Sequence, residues 1–113
     1  MQKSAKSKNI LWIVFDLGVQ GDYEGLYRWL DAHDAQECGD NVAFLKEYEH
    51  SGDLRDSLKR DLEGSIEINP KTRIYIIRED SGKLKGKFIF GSRKRPAWTG
   101  YAPELVQEED YGA

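Results

Sequence analysis

The run Ile10 to Phe15 (ILWIVF) contains no polar residue and is rich in β-branched and aromatic side chains, the form of a central strand buried on both faces. It stops at Asp16. Gly18 and Gly21 bracket a loop, and Asp22 stands where a helix needs a cap, because Tyr23, Leu26, Tyr27 and Leu30 follow at i, i+3, i+4 and i+7 spacing. That helix is expected to end near His33 to Ala35, with Trp29 off the stripe, either under a loop or at a subunit contact. Ala35 to Cys38 and Val42 to Tyr48 then read as two strands around the turn Gly39-Asp40-Asn41.

Asp53 is positioned to cap a second helix, in which Leu54, Leu58, Leu62 and Ile66 recur at every fourth position with charges between them. The helix should close near Gly64. Asn69-Pro70 signals a turn, Arg73 to Arg78 (RIYIIR) a further strand, and Glu79-Asp80-Ser81-Gly82 another turn. Lys83 to Phe90 (KLKGKFIF) alternates basic and apolar residues, which predicts an edge strand with one charged face and Gly86 as a bulge.

The order strand, helix, hairpin, helix, strand predicts an α+β fold, a ferredoxin-like β-α-β-β-α-β sandwich with an additional C-terminal edge strand. Residues 1–8 read as a flexible basic arm, 9–101 as one domain and 102–113 as an acidic tail.

Composition supports a single packed unit. A chain of 113 residues that is 39% hydrophobic, with three Trp, six Tyr and four Phe, has the apolar mass for one core and is not disordered throughout. No apolar run approaches the ~20 residues of a membrane span, so no membrane partner is expected. Cys38 is the lone cysteine. It permits no internal disulfide, suits a reducing cytoplasm, and is expected to be buried.

Charge changes the picture more. The net charge of −3 conceals a division: residues 16–64 hold 13 acids against 5 bases, whereas 82–101 hold six bases and no acid. Those bases are Lys83, Lys85, Lys87, Arg93, Lys94 and Arg95, and Trp98 and Tyr101 follow them. Cations beside aromatic rings suit the phosphates and bases of RNA or DNA. The competing reading is a set of edge-strand lysines that block aggregation, and a tail that covers its own core with Trp98 buried. His33 and His50 share no ligand spacing with Cys38, which points to structural or exposed roles. Asp16 either accepts hydrogen bonds from the amides of Leu17 to Gly21 or serves as a carboxylate for a hard cation.

The stretch FDLGVQGDYEGLYRWL, with DLRDSLKRDL (53–62) and TRIYIIRED (72–80), resembles the ferredoxin-like superfamily of the small CRISPR-associated adaptation protein, and within it the SinR-like proteins. The likeness spans roughly residues 9–80. It implies homodimers, a nucleic-acid role and, at the end of the first strand, an Asp that binds metal in a nuclease. Asp16 is the matching position, and Mg²⁺ or Mn²⁺ the implied metal. The hairpin residues Asn41-Val42-Ala43-Phe44 depart from the more aromatic or hydroxyl-rich strand of that group. The expected function is nucleic-acid association with metal-dependent phosphodiester cleavage, or alternatively a non-enzymatic dimeric interaction or regulatory module of a defence or toxin–antitoxin type.

Overall fold

The computed structural model describes residues 7–103. The expected basic arm therefore lies outside the described residues except for Ser7 and Lys8, and the acidic tail except for Ala102 and Pro103. The order is β1 (Ser7–Asp16), α1 (Tyr23–Ala32), β2 (Gln36–Glu37), β3 (Val42–His50), α2 (Leu54–Glu63), β4 (Arg73–Asp80) and β5 (Lys83–Phe90). The strands form one antiparallel sheet in the order β2-β3-β1-β4-β5. Five antiparallel strands and two helices are compatible with a ferredoxin-like sandwich.

β1 begins at Ser7, earlier than the apolar pattern alone indicates, because Ser7 and Lys8 pair with His50 and Glu49 of β3. Its burial corrects a second expectation. Leu11, Ile13 and Phe15 are buried while Trp12 and Val14 are only half-covered. An unbroken apolar strand suits either two covered faces or one covered and one aromatic face. Here the second holds, since both helices contribute to one core on one side of the sheet.

That core joins Leu11, Ile13 and Phe15 to Leu45, Tyr48, Ile74 and Ile76 of the sheet, to Leu26, Trp29 and Leu30 of α1, and to Leu54, Leu58 and Leu62 of α2. Each such side chain contributes roughly 1.5–3 kcal/mol by leaving water. Leu45 and Tyr48 both reach the core although three positions separate them. A bulge opposite Ile10 absorbs Lys46 and Glu47, so the alternation restarts.

Both helices are capped as their sequences predict: the Asp22 carboxylate accepts from Gly25 N at 2.9 Å, and that of Asp53 from Asp56 N at 3.0 Å. The stripe of α1, however, is rotated from the expected one. Trp29 is 5% exposed and packs at 6.1 Å from the Tyr48 ring, while Tyr27 is 53% exposed. Gly25 is the cause. It is buried, and a Cβ there would lie 2.8 Å from Ser65 O, so the helix meets the chain along its Gly25, Leu26, Trp29 and Leu30 side.

The β4–β5 hairpin turns through Ser81 (φ 55°) and Gly82 (φ 80°), the two left-handed positions of a type I′ turn. Its irregularity is not at Gly86, which pairs regularly with Ile77, but at Ile89, where the register shifts between Ile74 and Tyr75. Gly86 instead leaves room for the Tyr75 ring, whose hydroxyl occupies the space a Cβ would need. Cys38, expected buried, is exposed beside the short β2. Among the described residues no helix is long and apolar enough to cross a membrane.

Candidate nucleic-acid interface

Partners directly opposite in an antiparallel pair share a face, and this rule sorts the basic residues of the edge strand. Lys85 pairs with Arg78 and Lys87 with Ile76, which is 2% exposed in the core, so Lys83, Lys85 and Lys87 rise on the helix-covered side. Phe88 pairs with Tyr75 on the opposite, open side. The charged face expected of β5 therefore exists, and it adjoins α2.

There the edge lysines meet two cations that strand periodicity does not reveal. Arg55, in the first turn of α2, and Arg78 of β4 line a groove of about 370 Å³ together with Lys85 and Lys87. Asp53 also lines the groove and Asp80 lies beside its cations, with Oδ2 at 2.9 Å from Lys85 Nζ and 3.9 Å from Arg78 Nη2. The hydrogen bond from Lys85 and its charge, followed by that of Arg78, hold the Asp80 carboxyl below the usual carboxylate range.

On the open side, Arg93 stands 5.5 Å from the Tyr75 ring centre and 5.9 Å from that of Phe88, and Arg73 stands 5.6 Å from Phe88. Tyr75 and Phe88 meet edge to face with centroids 4.9 Å apart, and Trp12 and Phe44 lie 5.0 Å apart on the neighbouring strands. Cations over ring faces and paired aromatics make this surface both apolar and positive at one end.

Lys94 and Arg95 are exposed in the irregular segment beyond β5. Trp98, buried in one of the two sequence readings, is 75% exposed, and Tyr101 is 83% exposed. The predicted site residues thus divide into three groups: the lysines on the helix side, Arg93 on the open face, and Lys94, Arg95, Trp98 and Tyr101 along the following chain.

Asp16 sits apart from the lysines. Its Oδ1 accepts from Gly18 N at 3.2 Å and its Oδ2 from Arg73 Nη1 at 3.3 Å, with 47% of the side chain exposed. It therefore accepts from the loop, as one of its two sequence readings anticipates. Mg²⁺ requires oxygen ligands in near-octahedral array, whereas Asp16 has an arginine against it and, among the described residues, belongs to no group of three His, Cys, Asp or Glu side chains. The residues of one chain do not fit such an ion, so no metal step is derived from them.

Both histidines make contacts within the fold. His50 is 7% exposed, its Nδ1 donating to Gly52 O at 3.0 Å while Nε2 accepts from Asn9 Nδ2 at 2.7 Å. His33 stacks on Trp29 with centroids 4.0 Å apart. No protein-family model, no curated protein and no solved structure matches the chain significantly.

Proposed function

We propose that the protein binds nucleic acid as a small ferredoxin-like homodimer of the CRISPR-adaptor and SinR-like kind, in the cytoplasm. The exposure of Trp98 and Tyr101 beside Arg93, Lys94 and Arg95 carries this reading. Large rings left in water near cations that have no carboxylate within 4.0 Å among the described residues lose hydration when bases stack on them, and each phosphate contact releases counterions. The part of the open sheet face away from Arg93, with Ile10, Trp12 and Phe44, supports pairing with a second copy.

The test is fluorescence anisotropy with labelled single-stranded RNA and DNA across salt. Replacing Arg93, Lys94 and Arg95 together by Gln should flatten the slope of log affinity against log salt by about 2, near 0.7 for each lost contact. Trp98→Ala should weaken binding by about 1–3 kcal/mol. Absence of retention of either polymer at low salt would refute the proposal.

Cleavage is the second reading, favoured by one observation: Asp16 lies beside Arg73, Tyr75, Phe88 and Arg93 at the open face, and the reading requires a second copy stacked there to bring the other carboxylate. RNA or DNA cut by the wild type with Mg²⁺ or Mn²⁺ and left intact by Asp16→Asn would establish it. Retention without cutting would leave binding as the activity.

A further inference from the structure

The groove between α2 and the edge strand lies outside the Arg93–Tyr101 segment and concentrates more positive charge than its own acids offset. Four cations, Arg55, Arg78, Lys85 and Lys87, surround it over the buried Ile76. Two carboxylates adjoin them. Asp53 is engaged as the helix cap through Asp56 N, and Asp80 is shared by Lys85 and Arg78.

Arg55 and Lys87 have no carboxylate within 4.0 Å among the described residues. Arg55 is nevertheless held in place, because its Nε donates to Phe88 O at 3.3 Å. A guanidinium anchored through Nε keeps its terminal NH₂ groups for a planar, bidentate acceptor such as a phosphate. The first turn of α2 adds its partial positive charge at the same place.

The spacing of the lysines narrows the ligand class. Lys83, Lys85 and Lys87 stand on one face of β5 at alternate positions, hence ~6.8 Å apart along the strand. Successive phosphates of an extended single strand repeat on a similar scale, so a polynucleotide along the edge meets the lysine row phosphate by phosphate, with Lys85 exchanging Asp80 for a phosphate oxygen. A lone small anion would use only part of this row.

We infer that this groove and the lysine row of β5 bind the phosphodiester backbone of single-stranded nucleic acid. The inference rests on the nucleic-acid reading above and adds a second contact surface to it, on the other side of the sheet from Arg93.

The deciding experiment compares three forms of the full chain: wild type, Arg55→Gln with Lys87→Gln, and the charge-preserving pair Arg55→Lys with Lys87→Arg. Each is titrated against a labelled single-stranded oligonucleotide over a range of salt, and its melting temperature is recorded to confirm folding. The glutamine pair should bind about tenfold or more weakly at low salt, with the salt slope shallower by about 1.4, two contacts' worth. The charge-preserving pair should keep the wild-type slope.

If wild type binds and the glutamine pair keeps its affinity and slope, the groove inference is overturned while the nucleic-acid reading stands. A folded charge-preserving pair that loses the slope as the glutamine pair does would overturn it too, since charge would not be what matters. Wild type that binds no oligonucleotide would remove both.

Discussion

At the scale of single residues, Asp22 links two distant parts of the chain. One carboxylate oxygen accepts from Gly25 N to cap α1, and the other accepts from Glu67 N at 2.9 Å, 45 positions along the chain. The hydrogen bond to Glu67, then that to Gly25, holds its pKa below the ordinary carboxylate value. A carboxyl with a lowered folded-state pKa stabilises the fold fully above the unfolded value, near ~3.9, and loses that contribution as pH falls through the folded value. Asp22→Asn should therefore melt at a lower temperature than wild type at neutral pH, and the gap should narrow as pH drops below about 4. A gap constant from neutral to acid pH would reject the assignment. The cap at Gly25 was legible from Asp22 preceding an apolar stripe; the bond to Glu67 was not, since no local pattern links residues so far apart.

At the scale of elements, the two helices show what a periodic pattern can and cannot specify. In α2, leucines at every fourth position leave one possible buried face, and Leu54, Leu58 and Leu62 occupy it. In α1, several aromatics compete for the stripe and a glycine decides among them. Gly25→Ala ordinarily raises helix propensity by about 0.5–1 kcal/mol. Here the added methyl meets Ser65 O, a backbone atom that cannot swing aside, and the Asp22 carboxylate. The substitution should destabilise by about 1–3 kcal/mol in urea unfolding, and a stabilised Gly25→Ala would show that the helix sits farther from Ser65. The groove was similarly hidden. The alternation of Lys83, Lys85 and Lys87 is visible in the sequence, but their meeting with Arg55 and Arg78 depends on the register of β4 with β5 and on α2 starting beside that edge.

At the scale of the molecule, the sheet has one face packed by helices and one that carries Ile10 at 42% exposure together with Trp12, Phe44, Tyr75 and Phe88. The apolar character of β1 was plain from the sequence, whereas the openness of one face follows from both helices crossing on the same side. If this face is where two copies meet, sedimentation equilibrium should find wild type dimeric, and Ile10→Lys should weaken the dimer at least about tenfold, roughly 1.4 kcal/mol, by placing a charge in an apolar contact. Monomeric wild type at every concentration would remove the dimer from the proposal.

The bond from Asp22 to Glu67 also bears on how the molecule comes apart. It joins the loop after β1 to the loop before β4, at the one end of this strand pair where Asp16 faces Arg73, and the same carboxylate caps α1. Release of that one carboxylate frees the amides of both Gly25 and Glu67, so Asp22→Asn should speed the solvent exchange of the two together.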